Sequence, residues 1–199
     1  MKTTNKKNRA RILVKSTLFI IGAGLLLLLA LGQVPIFQKI IYPYPHRIVI
    51  EKYASLYGVD PLLVVSVIRE ESKFLPQSES HKGAIGLMQI MPSTAQSIAK
   101  SLGDKNYNDQ ELLNPEKNIQ YGTWYLASLK KEFANNTTLI LAAYNGGRGH
   151  VNEWIKNDQI NLKQLRQQDI PFEETRQYVE RVLKSYQIYS KLYPVRNSK

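Results

Sequence analysis

Residues 16–37, STLFIIGAGLLLLLALGQVPIF, carry no charge, and Gln33 is the one strongly polar side chain among them. An uncharged run of about 20 residues forms a helix that crosses the hydrocarbon core of a bilayer, because a helix satisfies its own backbone polar groups there. Lys2, Lys6, Lys7, Arg9, Arg11 and Lys15 come before any acid, and a basic flank of this kind stays on the cytoplasmic side. The expected organisation is a basic cytoplasmic tail over 1–15, a transmembrane anchor over 16–37, a linker over 38–45, an exported domain over 46–194 and a short tail over 195–199. The chain is thus expected in the cell membrane, single-pass, with its domain on the extracytoplasmic side. A cleaved signal peptide ending at Ala30-Leu31-Gly32 is the rival reading. Apolar residues continue past that point and favour the anchor; both readings export the domain. The YPYPH stretch over 42–46 places two prolines at the boundary, which makes a short, stiff connection.

There is no cysteine, which excludes disulfides, thiolate metal sites, a cysteine nucleophile and a lipidated cysteine. The formal net charge is +11, and removing the six cations of the tail from 27 leaves 21 against 16 acids, or +5. That mild excess suits an anionic wall or membrane surface. No compact Lys/Arg stripe interleaved with aromatics appears, so nucleic acid is not an expected partner. His46, His81 and His150 lack metal-ligand spacing, and neither a metal nor a cofactor is expected.

From His46 onward the pattern is helical nearly throughout. HRIVIEKYASLYG ends on Gly58, and DPLLVVSVIREESKF opens with Asp60 as N-cap and Pro61 at the first helical position. Residues 75–92, LPQSESHKGAIGLMQIMP, are rich in turn formers. STAQSIAKSLG follows, with Ser93 or Thr94 as cap and Gly103 as stop. Further helices are expected over 114–133 with Asn114 and Pro115 opening it, over NNTTLILAAYNGG, over GHVNEWIKN, and over the long amphipathic FEETRQYVERVLKSYQIYSKLYP. With no strand hairpin and no internal repeat, the fold class is all-α, in one domain preceded by one N-terminal transmembrane helix.

Two adjacent acids close the second of these helices. At about 100° per residue, Val64, Val67, Ile68 and Phe74 fall on one side. Ser66, Arg69, Glu70 and Lys73 fall on the other. Glu71 lands in the middle of the apolar side and Glu70 among the polar residues, so Glu70 reads as solvated. A carboxyl in apolar surroundings is costly when charged, and desolvation keeps a proton on it, as a general acid requires. The alternative is a structural acid satisfied by Arg176, Arg181 or backbone N–H groups. Further on, Gly83 and Gly86 permit close approach or positive φ, Gln89 offers an amide, and Met88 and Met91 offer adaptable apolar contact. That mixture suits a groove for a polar, neutral polymer such as a sugar.

Glu71-Ser72, Ser80, GAIGLMQIMP over 83–92 and AAYNGG over 142–147 together resemble the soluble-type lytic transglycosylases, with PFEETRQYV over 171–179 as a closing block. The similarity covers roughly residues 46–192. It implies a lysozyme-like domain of the goose type and a catalytic acid/base at Glu71, the residue the helical wheel selects. It also implies Ser80 beside the catalytic carboxyl and the substrate acetamido group, and Gln89 and Met91 in the groove. Tyr144 corresponds to a tyrosine whose hydroxyl approaches the catalytic carboxyl. Asn145 follows it in the motif, and Glu174 matches the acid of the closing block, although an acid there also simply suits a helix start. Gly146 and Arg148 stand where the family often has Ala and Pro, which affects the local loop.

The implied substrate is peptidoglycan, cut at the β-1,4 bond between N-acetylmuramic acid and N-acetylglucosamine with a 1,6-anhydro product. Two other readings stay open. A lysozyme-like muramidase would need a second acid to position water, from Glu174 or the 104–111 loop. A non-catalytic wall-binding module would need no turnover.

Overall fold

In a computed structural model, residues 15–24, 26, 35–162 and 165–194 are described. The chain divides into two units, Met1–Pro43 and Tyr44–Lys199. In the first, residues 15–24 and Pro35–Ile41 are helical. Among the described residues no helix is long and apolar enough to cross a membrane. Residues 25 and 27–34 of the expected anchor lie outside the described residues, as do most of the basic tail and the tail over 195–199.

The second unit begins with Tyr44, whose ring meets Tyr193 edge-on at 5.4 Å. Helix α1 (Arg47–Tyr57) ends at Gly58, which takes the left-handed conformation (φ 68°). In α2 (Pro61–Ser72) the Asp60 carboxylate accepts from the Leu62 N–H at 2.8 Å, and Pro61 occupies the position where no intrahelical donor is needed. Helix α3 (Pro92–Leu102) starts ahead of both hydroxyls expected to cap it. Pro92 supplies a pre-set φ, so Met91, in extended backbone, becomes the residue before the helix. In α4 (Pro115–Glu132) the Asn114 side chain accepts from the N–H groups of Glu116 and Lys117. Helices α5 (Thr137–Gly146), α6 (Arg148–Lys156) and α7 (Glu173–Leu192) follow. Two short 3-10 helices, Asp109–Leu113 and Gln167–Asp169, carry no helical periodicity in the sequence and were not expected. Extended pairing among the described residues is limited to isolated bridges at Glu79–Ile85 and Ile85–Ile90.

Among the described residues the unit is all-α, and α2 is its axis. It packs on α1 on one side and most extensively on α7, which also supports α5. Leu62, Val64, Val65, Val67 and Ile68 are all buried, and each such side chain stabilises the fold by about 1.5–3 kcal/mol. Ser66 is fully buried as well, its hydroxyl donating to the Leu62 carbonyl at 2.6 Å. Ser66 and Glu70, expected on the polar side of α2, therefore do not face water, whereas Lys73 just past its end does. A helix enclosed by its neighbours has no solvent face to mark, and its short polar residues are satisfied within it.

Candidate active site

Helix α2 stops one residue after Glu71, because Lys73 (φ 50°) and Phe74 (φ 66°) both adopt left-handed backbone. Ser72 anchors that last turn. Its hydroxyl lies 2.8 Å from the Leu87 carbonyl and 3.2 Å from that of Ile68, tying α2 to the glycine-rich loop. The loop is held from its other side by Asn118 of α4, which is fully buried. The Asn118 amide accepts from the Met88 N–H at 2.7 Å and donates to the carbonyls of Ile85 (2.9 Å) and Leu112 (2.8 Å). Gly86 (φ +81°) makes this possible, since a Cβ there would lie 2.2 Å from the Asn118 amide nitrogen. Gly122 plays a similar part, because a Cβ would sit 2.3 Å from the Met88 sulfur.

The Glu71 carboxyl precedes the Ser72 anchor in the last turn of α2. Burial is the largest influence on it and pushes its pKa from 4.5 up to about 7. Tyr178 and the charges of Arg181 and Lys73 pull it back down, while the Glu70 charge pushes it up. Tyr178 faces the carboxyl without closing a hydrogen bond of good geometry, and its hydroxyl is buried with no other partner. Tyr144, also close enough to feel the Glu71 charge, is part-buried, and its hydroxyl donates to the Met88 carbonyl at 2.7 Å. Desolvation, then the Glu71 charge, holds both phenols well above their ordinary range, so both stay protonated. The ring of Tyr125 lies 5.5 Å from that of Tyr144 and extends the aromatic wall.

The residues expected at the site separate into three groups. Glu71 and Tyr144 are brought together. Ser80 and Gln89 lie in the loop and work first for its shape. The Ser80 hydroxyl oxygen accepts from the Ala84 N–H at 2.9 Å, which leaves its proton free to turn outward. The Gln89 amide nitrogen donates to the Ser78 (3.0 Å) and Gly86 (2.9 Å) carbonyls, so only its oxygen remains to meet a ligand. Met91, Asn145 and Glu174 are exposed. Glu174 stands 3.7 Å from Lys82, linking the start of α7 to the loop.

Glu70 is a correction. Its side chain is only 6% exposed, and it is gripped by Lys73 and Ser185 rather than solvated. The sequence motif includes Ser72 but gives it no role, and it does not single out Asn118 or Tyr178. Tyr178 sits in the closing block already singled out, but nothing local marks one tyrosine of an amphipathic helix as facing an acid.

The raised pKa predicts a pH-dependent cost in stability. Between pH 4.5 and 7 the folded chain keeps a proton that the unfolded chain has lost. Stability therefore falls as pH rises through that window, by about 3 kcal/mol in full. Glu71→Gln removes the penalty. Its melting temperature is expected to exceed that of the wild type by several degrees at pH 8 and by little at pH 4.5. Equal differences at both pH values, measured by circular dichroism, would show that the carboxyl is not desolvated.

A desolvated acid, two protonated phenols and a loop that presents amide and hydroxyl groups are parts that acid/base chemistry can use. Residues 48–167 match the Transglycosylase SLT domain, and the chain belongs to that family. It is 36% identical over 154 residues to the soluble lytic murein transglycosylase of Escherichia coli, across 76% of this chain and 24% of that protein. It is 32% identical over 161 residues to the membrane-bound lytic murein transglycosylase C of Actinobacillus pleuropneumoniae, across 70% of this chain and 44% of the relative. Among solved structures it is similar to the 70-kDa soluble lytic transglycosylase in complex with bulgecin A, with TM-score 0.72 and 35% identity over 77% of this chain and 25% of that one. An inactive mutant of lytic transglycosylase Slt from Pseudomonas aeruginosa gives 0.68 at 35% identity, over the same 77% of this chain and 25% of that one. The chain thus spans about a quarter of the length of the Escherichia coli relative.

Proposed function

We propose that this chain is a lytic transglycosylase of the bacterial wall, cleaving peptidoglycan between N-acetylmuramic acid and N-acetylglucosamine. The observation that carries this is the Glu71 carboxyl, desolvated at the end of α2 beside Tyr178 and Tyr144, with its pKa raised to about 7. Membership of the family supports the substrate class.

The chemistry needs one carboxyl. Glu71, protonated, donates to the bridging oxygen as the muramic C1–O bond breaks, and the N-acetylglucosamine residue leaves with a free 4-hydroxyl. Charge builds at C1 and the ring oxygen. The muramic residue's own C6 hydroxyl then attacks C1, and Glu71, now a carboxylate, takes the hydroxyl proton. The enzyme is regenerated, no water is consumed, and the product end is a 1,6-anhydro sugar. Intramolecular attack carries a large effective concentration, so no second acid is needed to hold a nucleophile. A pKa near 7 suits both halves, since the group must give a proton and take one back. Tyr144 and Tyr178 keep the carboxyl oriented and dry. The Ser80 hydroxyl and the Gln89 oxygen orient the sugar, and the exposed Met91, Asn145 and Glu174 meet it.

Digestion of purified peptidoglycan followed by mass spectrometry tests the proposal. Anhydro-muramyl ends are expected, 18 mass units (one water) lighter than the reducing ends that a muramidase would leave. Reducing ends alone would overturn the transglycosylase reading in favour of hydrolysis, and binding without turnover would point to a wall-binding module.

The uncharged run over 16–37, behind six cations, supports an uncleaved anchor that displays the domain outside the cytoplasm. Carbonate washing of membranes from cells expressing the full chain is expected to leave it in the pellet. Release of a shortened chain would favour the cleaved signal.

A further inference from the structure

Glu70 is a buried acid that the proposed chemistry does not use, and it is crowded by cations. Its Oε2 accepts from Lys73 Nζ at 2.8 Å and lies 3.8 Å from Arg181 Nε. Its Oε1 accepts from the Ser185 hydroxyl at 2.7 Å and lies 3.7 Å from Arg69 Nε. Burial would raise its pKa, but the hydrogen bonds from Lys73 and Ser185 and the charges of Lys73 and Arg69 outweigh burial and lower it. Glu70 is therefore a fixed negative charge, one residue from the candidate acid and joined to α7 across the chain.

We propose that Glu70 is a positioning residue that acts through Glu71: held in place by Lys73 and Ser185, it neutralises the cations that would otherwise draw the proton from its neighbour. This rests on Glu71 being the acid/base of the proposed reaction.

The groups around Glu71 give the sign. From α2 come Glu70 and Lys73; from α7 come Tyr178 and Arg181; from α5 comes Tyr144. Arg181 and Lys73 favour the carboxylate, whereas Glu70 disfavours it. Glu70 opposes the two cations only while it stays charged. Without it, two cations stand close to Glu71 unopposed, and a group that must be protonated to act loses its proton at lower pH. The end of α2 adds a fixed negative potential in the same sense as Glu70, but it cannot replace a full charge.

The test is a pH–rate profile on peptidoglycan together with a direct titration of the Glu71 side-chain carboxyl carbon by NMR. In Glu70→Gln the alkaline limb is expected to move down by about one pH unit. Activity at pH 7 then falls about fivefold, because the protonated fraction drops from a half to roughly a tenth, while activity at pH 5 is kept. Arg181→Gln is expected to move the limb the other way, and the double variant to return it towards the wild type. Ser185→Ala removes a hydrogen bond but no charge, so it is expected to leave the limb in place.

A Glu70→Gln variant that is slower at every pH with an unmoved limb would assign Glu70 a purely structural role and overturn the proposal. If that variant fails to fold, the Arg181→Gln limb decides, and a limb that does not rise overturns it equally. The NMR titration separates the two readings. A Glu71 titration that shifts in a chain with no turnover upholds the charge balance and sinks the transglycosylase reading. An unshifted titration in an active enzyme does the reverse.

Discussion

Glu71→Gln is expected to lose anhydro-muramyl product formation by at least about a thousandfold while remaining folded. General acid–base assistance contributes about 10²–10⁴ in rate, and here one side chain supplies both the acid and the base. Glutamine keeps the shape and a hydrogen-bonding head, so binding should survive. A sedimentation assay with insoluble peptidoglycan would separate lost chemistry from lost binding. Glu70→Gln, assayed at pH 5, is the control: it keeps most of its activity because its part is to balance charge. Residual activity above about a tenth in Glu71→Gln, with the fold intact, would remove Glu71 from the centre of the mechanism.

Gly86→Ala is expected to cost about 4 kcal/mol of stability and lower the melting temperature by roughly 10 °C. Two effects add. The left-handed backbone (φ +81°) disfavours any Cβ by about 1–2 kcal/mol. The added carbon would also lie 2.3 Å from the Leu112 carbonyl oxygen and 2.2 Å from the Asn118 amide, so Asn118 must move. Buried groups of Ile85, Met88 and Leu112 then lose their partner, at about 1–3 kcal/mol for each group left unsatisfied. Gly83→Ala is the matched control, with the same φ of +81° but nothing within 4 Å of the new carbon. It should cost only the backbone component. Equal losses at the two glycines, by thermal or urea unfolding, would show that the Asn118 brace does not carry the loop.

Much of the molecule is legible along the chain. Asp60-Pro61 and Asn114-Pro115 announce helix starts because a short acceptor side chain and a pre-set φ act within one turn, and both caps form. Gly58 and Gly103 mark helix ends for an equally local reason. The place of Glu71 on the apolar side follows from its spacing behind Val64, Val67 and Ile68, since helical phase needs nothing beyond the helix.

The same wheel misplaced its neighbour. Glu70 and Ser66 sit on the polar side of α2, yet that side is covered, and Glu70 is met by Ser185, 115 residues away. Helical phase reports direction, not what lies in that direction. The brace by Asn118, the hold of Ser72 on Leu87 and the approach of Tyr178 to Glu71 are likewise contacts between elements far apart in the chain. The sequence alone therefore determined where helices begin and end and that Glu71 lies in phase with the apolar residues of its helix, because caps, φ and periodicity are forces of short range. Only the tertiary structure decided which groups surround that acid and in which direction its pKa moves, because desolvation and Coulomb effects depend on distance in space.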